Sequence, residues 1–330
     1  TITYIWQSSL NNSTFSDIAS ATASTYDVPN GLTATTYYRR ITVSTLNGVA
    51  CQSAASNVLT VTVQSVPTAG SIAASQTICY NGDPAAFTSV AGTGNSGATI
   101  TYIWQSSTDN NNFSTIASAN ADTYNPPSGL TVTTYYRRIT VATLNSIACQ
   151  SVPTNVLTVT VQSVPTAGSI GSDQTICNGG DPAAFTSTTD GTGDGVITYQ
   201  WQSSLNNSSW SNISSATSAT YDVPSGLTAT TYYRRVTVST LNGVACLSVA
   251  SNVITVTVQS VPTAGVIATA QTICNGGDPA LFTSTTNGTG SGVISYKWQS
   301  STDNSSFTDI AGETASTYDA PGGLTVTTYY

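Results

Sequence analysis

Histidine and methionine are absent from this chain, and charge of either sign is scarce. Lys+Arg number 7 and Asp+Glu 15, so 7% of the residues are charged, against about 25% in an ordinary globular protein. Without histidine there is no His acid–base chemistry, no His metal ligation, and no Ser-His-Asp or Cys-His nucleophile arrangement. The net charge of −8 leaves too few cations for a Lys/Arg stripe that could neutralise phosphates, which argues against nucleic acid. No apolar run approaches the ~20 residues of a membrane span, and the residues from Thr1 do not have the pattern of a signal peptide. Hydroxyls are what the chain has in abundance: Thr (59) and Ser (46) make up 105 of its 330 residues. The expectation is a hydroxyl-rich β protein that is not an enzyme and holds no cofactor or metal.

Internal repetition sets the architecture. Tyr-x-Trp-Gln recurs with Trp6, Trp104, Trp201 and Trp298, and Thr-Thr-Tyr-Tyr recurs at 35–38, 133–136, 230–233 and 327–330. Val-Gln-Ser-Val-Pro-Thr-Ala-Gly recurs at 63–70, 161–168 and 258–265. A unit of about 97 residues suits one immunoglobulin-like sandwich, so the expected fold is all-β: tandem immunoglobulin-like β-sandwich domains in a linear array. With boundaries at Val-Pro, the chain divides into a partial repeat 1–66 lacking its N-terminal strands, complete repeats 67–164 and 165–261, and a partial repeat 262–330 lacking its C-terminal strands. This phase is expected of a window within a longer repetitive protein.

Within 165–261 the periodicity is that of strands. Strands are expected at 168–172, 174–177, 183–187, 196–202, 209–213, 219–223, 230–240 and 252–259. Leu241-Asn-Gly-Val244 places Asn-Gly between β-formers, a strong hairpin signal. The short Pro-containing junctions are stiffer than a Gly/Ser tether, which predicts a semi-rigid rod.

The recurrent Trp is expected in the inter-sheet core, with sugar stacking as the alternative. Trp210, whose equivalents are Phe15, Phe113 and Phe307, reads as a hydrophobic plug. Leu-Thr-x-Thr-Thr-Tyr-Tyr has the form of a tyrosine corner. All six arginines follow that motif: Arg39, Arg40, Arg137, Arg138, Arg234 and Arg235. Adjacent strand residues face opposite ways, so one Arg of each pair is expected on each sheet face. The expectation is cross-strand pairing with Asp and cation–π contact with Tyr; the alternative is a periodic contact with a ligand or another filament. Gly92-Thr-Gly94-Asn-Ser-Gly97 matches a dinucleotide-binding pattern, but no helix follows it, so it reads as a loop between strands. The acids are dispersed and form no calcium loop.

Six cysteines, Cys51, Cys79, Cys149, Cys177, Cys246 and Cys274, lie one before the second strand and one before the last strand of each unit. No C-x-x-C spacing suggests zinc, and an oxidising, extracellular setting fits. Sequential pairing (51–79, 149–177, 246–274) would span far more than the ~7 Å that a disulfide allows between Cα atoms. Pairing within units, Cys79–Cys149 and Cys177–Cys246, is favoured because each unit carries its own pair. A staple between neighbouring units, Cys79–Cys246, is the alternative.

Leu-Thr-Ala-Thr-Thr-Tyr-Tyr, with Gln-Thr-Ile-Cys-x-x-Gly before the second strand and Ala-Cys-x-Ser before the last, resembles the immunoglobulin-like repeats of very large surface proteins of Bacteroidota. These proteins are exported by type IX secretion and include SprB-like gliding-motility adhesins. The resemblance covers the whole chain and implies an extracellular, cell-surface or filament-forming protein without catalysis. The expected function is the stalk of an adhesin serving attachment or gliding, with neighbouring repeats and other copies in a filament as partners. A multivalent glycan-binding array, with one weak site per repeat near the Tyr-Tyr-Arg-Arg strand, is the alternative.

Overall fold

A computed structural model describes residues 1–330, built from strands and turns without a helix. The chain separates into two compact units, Thr1–Gln162 and Ser163–Tyr330, described in turn.

In the first unit, the complete repeat is organised around the strand Thr134–Leu144, which begins at the Tyr-Tyr-Arg-Arg motif. On one side it pairs antiparallel with the Trp strand Thr99–Ser107, from Tyr135↔Ser107 to Thr143↔Thr99. On the other side it meets two strands in succession, Leu157–Gln162 near its start and Ile147–Gln150 near its end. Leu157–Gln162 is in turn flanked by Gln76–Cys79, which runs parallel to it. Ser71–Ala73 pairs with Thr88–Val90 in a small separate sheet. The two layers enclose a core of Ile72, Ile78, Phe87, Trp104, Tyr136, Leu157 and Val159. The partial repeat before it carries the equivalent of the large sheet, with Ile2–Ser9 paired to Thr36–Leu46.

The second unit repeats the plan. Gln174–Cys177, Ile254–Gln259, Thr231–Leu241, Val196–Ser204 and Ser211–Asn212 lie in that order, with Val244–Ala250 also on Thr231–Leu241. Its core is Ile170, Phe185, Trp201, Val223, Tyr233, Ile254 and Val256, with a smaller cluster of Trp298, Tyr318 and Ala320 in the partial repeat.

Local chemistry accounts for these elements. β-Branched and aromatic residues at alternate positions give each long strand one buried face, as in the alternating burial of Thr231–Leu241. The hairpin leaving that strand turns at Asn242 and Gly243, both with positive φ (50° and 80°), as a two-residue turn matching strand twist requires. The segments expected as strands at 183–187 and 219–223 are irregular: they meet only at the Phe185↔Tyr221 bridge, and the short strand there is Ser187–Thr189. Pro182 and Pro224 bracket these segments and cannot donate to a ladder, so they deliver Phe185 and Val223 to the core without extending a sheet.

The Tyr-Tyr pair divides between faces. The second Tyr, as Tyr136 or Tyr233, is buried against Phe87 and Tyr124 or Phe185 and Tyr221. The bond back into the preceding turn belongs to the Thr before the pair: Thr134 Oγ1 donates to Val132 O at 3.0 Å and Thr231 Oγ1 to Ala229 O at 2.9 Å. Burial pushes both phenols up to about 12 from 10.0. A raised phenol favours the fold below pH 10, and that contribution is lost as pH climbs from 10 through 12. Each buried Tyr is therefore expected to withdraw about 3 kcal/mol from its repeat above pH 12. Phenolate absorbance should show these two rings ionising only together with loss of β signal; their titration near pH 10 with the fold intact would contradict the burial argument.

Candidate functional site

The arginine pairs sit where strand alternation puts them, one inward and one outward. Arg138 and Arg235 are fully buried. Arg138 donates from Nη1 to Asp122 O and from Nη2 to Val90 O (2.8 Å) and Ala69 O (3.3 Å), and its Cζ lies 4.4 Å from the Tyr102 ring centroid. Arg235 donates to Ser187 Oγ, to Ala219 O at 2.6 Å and to Thr189 O at 3.4 Å, over Tyr199. Neither Nε has a partner, and burial pulls both guanidinium groups below their ordinary range. The inward arginine thus fastens the small sheet to the large one.

The outward arginines form a different constellation. Arg39, Arg137 and Arg234 each donate from Nε to a glutamine Oε1 directly across the ladder, Gln7, Gln105 and Gln202, at 2.7 Å in all three repeats. Each guanidinium is stacked on an aromatic ring, with Cζ 4.0 Å from the centroid of Phe15, 4.0 Å from Phe113 and 4.2 Å from Trp210. Position 210 is therefore a stacking platform, which the plug reading did not anticipate. The expected Asp partners are not used, for the single ion pair in the chain is Lys297–Asp309. Gln wins because it stands directly opposite in the register.

The recurrent Trp is core in the complete repeats: Trp104 and Trp201 are fully buried, and each indole Nε1 donates to a carbonyl 17 residues on, Ala121 and Ser218, at 2.9 Å.

The Gly-Thr-Gly loops have a role that sequence alone did not reveal: each receives the preceding linker. Ser65 N and Oγ donate to Asn95 Oδ1 at 2.9 and 2.8 Å, and Gln64 Nε2 donates to Ala142 O at 2.8 Å. Ser163 N donates to Asp194 Oδ2 at 2.6 Å, and Ser260 N to Ser291 Oγ at 3.0 Å. Thr68, Thr166 and Thr263 then bind the loop threonines Thr93, Thr192 and Thr289 through backbone and hydroxyl. The variation Asn, Asp, Ser at one loop position, always a short side chain with an acceptor oxygen, is the signal in the sequence. Glycine opens these loops because the chain passes so closely: a Cβ on Gly92 would lie 2.3 Å from both Thr140 Oγ1 and Thr68 O. Gly92→Ala is expected to cost about 2 kcal/mol or more, read as a lower urea midpoint.

The cysteines require a correction. Cys79 and Cys246 are disulfide-bonded, whereas Cys51, Cys149, Cys177 and Cys274 are free, so the expected bridges Cys79–Cys149 and Cys177–Cys246 are not formed. The register gives the reason. Cys79 pairs with Gln162, three residues past the Val159↔Thr134 pairing, while Cys149 faces Ala142, eight residues further along the same strand. At ~3.3 Å per residue the two cysteines of a repeat are separated by roughly 35 Å, far beyond disulfide reach. Alkylation of the native chain should therefore modify the exposed Cys51, Cys177 and Cys274 readily and Cys149 more slowly, and should reach Cys79 and Cys246 only after reduction.

No group of three or more Cys, Asp or Glu side chains converges. Asp109 is drawn below the usual carboxylate range by hydrogen bonds from Ser107, then from the amides of Asn112 and Asn111. Asn206 caps the same turn in the next repeat, so the position serves the turn. A cavity of about 650 Å³ is lined by Ile267–Cys274 and Leu324–Tyr330. In the repeat before it, the strand equivalent to 271–274 is covered by Ile254–Gln259.

Together these features define tandem immunoglobulin-like domains. The chain belongs to the family described as a domain of unknown function, DUF8696, which matches at residues 1–65, 68–163, 166–260 and 263–330. No protein of curated function matches it. Among solved structures it is similar to the three N-terminal domains of the Highly Immunogenic Outer Capsid protein of bacteriophage RB49, at 11% identity and a TM-score of 0.37, covering 78% of this chain and 88% of that one. It is also similar to domains FN1–FN3 of chicken CNTN1 (12%, TM-score 0.28, 77% and 87% covered) and to immunoglobulin domains 1–4 of Sidekick-1 (10%, 0.25, 92% and 76%).

Proposed function

We propose that this chain is a stretch of a non-catalytic, extracellular stalk: a semi-rigid rod of immunoglobulin-like repeats in a cell-surface adhesin of Bacteroidota, exported by type IX secretion and serving attachment or gliding. The observation that carries this reading is the seating of each linker on the loop of the following repeat, through Ser65–Asn95, Ser163–Asp194 and Ser260–Ser291. A linker held by hydrogen bonds on both flanks of its proline transmits orientation, where a free tether would not. The disulfide and the four further cysteines suit an oxidising exterior. Electron microscopy of the 330-residue chain should show straight or gently curved particles, and Asn95→Ala with Ser291→Ala should broaden the distribution of inter-repeat angles. A broad distribution in the unaltered chain would sink the rod, and antibody that fails to label intact producing cells would sink the surface assignment.

A second reading, a glycan-binding array with one weak site per repeat, is favoured by one observation: the outward arginines are held rigidly while their terminal nitrogens have no protein partner.

A further inference from the structure

Three side chains recur as a fixed set on the outer sheet face: an arginine, the glutamine that holds its Nε, and the aromatic ring beneath its plane. Guanidinium carries five N–H donors. One is used, and the two Nη nitrogens of Arg39, Arg137 and Arg234 make no hydrogen bond and no ion pair. This holds in a chain whose acids outnumber its cations 15 to 7. The inward arginines, by contrast, spend their Nη groups on carbonyls and a hydroxyl. Stacking and the Nε bond have already restricted the side chain, so a planar fork of donors is presented at little further entropic cost. Such a fork matches a carboxylate bidentately.

We propose that Arg39, Arg137 and Arg234 each bind a carboxylate of a uronate-bearing polysaccharide, one sugar acid per repeat; this rests on the glycan-binding reading above. One fork is a weak site, and a polymer carrying a carboxylate on every sugar is the ligand whose binding accumulates over successive forks. The face around Arg234 carries Gln200, Gln202, Tyr232 and Thr255, polar and phenolic groups suited to sugar hydroxyls, next to Val236 and the Trp210 ring, which offer apolar surface to a sugar ring. The net charge of −8 disfavours loose attraction of polyanions, so binding reports the forks themselves.

The test uses the 330-residue chain with polygalacturonate, the same polymer after carboxyl reduction, neutral amylose, and polyglutamate. Polygalacturonate should bind, the reduced polymer at least about tenfold more weakly, and the triple variant Arg39→Lys, Arg137→Lys, Arg234→Lys should lose about tenfold although its charge is kept. Equal binding of polygalacturonate and its reduced form would overturn the carboxylate assignment and leave the glycan reading standing. No binding to any polysaccharide would overturn both. Polyglutamate binding as strongly as polygalacturonate, or an unaffected folded triple variant, would also overturn the proposal. Should that variant not fold, the comparison of polymers on the unaltered chain decides alone.

Discussion

Trp201→Ala is expected to cost the third repeat about 3–5 kcal/mol, a large part of the ~5–15 kcal/mol that holds an ordinary domain together. The indole is fully buried, stacked on Phe185 at 5.8 Å between centroids and tilted against Tyr221 at 5.6 Å. Its removal opens a cavity between the sheets, strands the Ser218 carbonyl that accepts from Nε1, and takes one of two rings from beneath Arg235. Trp201→Phe refills much of the volume and loses the hydrogen bond, so about 1–2 kcal/mol is expected. Each complete repeat has its own core cluster, and stability in such arrays is close to a sum over repeats and their junctions. Calorimetry of the 330-residue chain should therefore show one transition moving down while that of the Trp104 repeat stays in place. A single transition moving as a whole would mean that the cores do not unfold independently.

Much of this was legible in the sequence, and what was not has physical reasons. A period of about 97 residues with alternating β-branched positions gave the number of repeats and the long strands; the expected 230–240 is observed as Thr231–Leu241, and the expected 174–177 as Gln174–Cys177. Alternation also placed one arginine of each pair inside and one outside. The partners were misjudged, because a charge-poor core satisfies Arg138 with the Ala69, Val90 and Asp122 carbonyls, and carbonyls are supplied by every residue and signalled by none. The cysteine pairing failed for a related reason. Spacing along the chain tells that two cysteines share a repeat, but only the register of four strands puts Cys79 and Cys149 at opposite ends of one sheet. The linker seat was missed because Asn95, Asp194 and Ser291 differ in type; what recurs is an acceptor oxygen at one place in a loop.

Arg138→Ala should be nearly as damaging as loss of the tryptophan, at about 3–5 kcal/mol. The guanidinium is fully buried with no carboxylate in salt-bridge contact, and its charge is tolerated because three carbonyl dipoles and two ring faces surround it and the Asp122 carboxylate lies near enough to favour it. Deleting it leaves those carbonyls in an apolar setting at about 1–3 kcal/mol each when no water reaches them. Arg138→Lys keeps the charge but replaces the planar fork with a single ammonium, and about 2 kcal/mol is expected. The chain contains its own control. Arg137, its neighbour on the outer face of the same repeat, donates from Nε to Gln105 alone and stacks on Phe113 at 4.0 Å, so Arg137→Ala should cost about 1 kcal/mol. Urea unfolding measures the difference, and hydrogen exchange locates it: in Arg138→Ala the amides of Ser71–Ala73 and Thr88–Val90 should lose protection before those of Thr134–Leu144, because the arginine fastens that small sheet to the large one. If Arg138→Ala proves no more costly than Arg137→Ala, or exchange rises evenly across the repeat, the inner arginine is a tolerated charge and not a fastening between the layers.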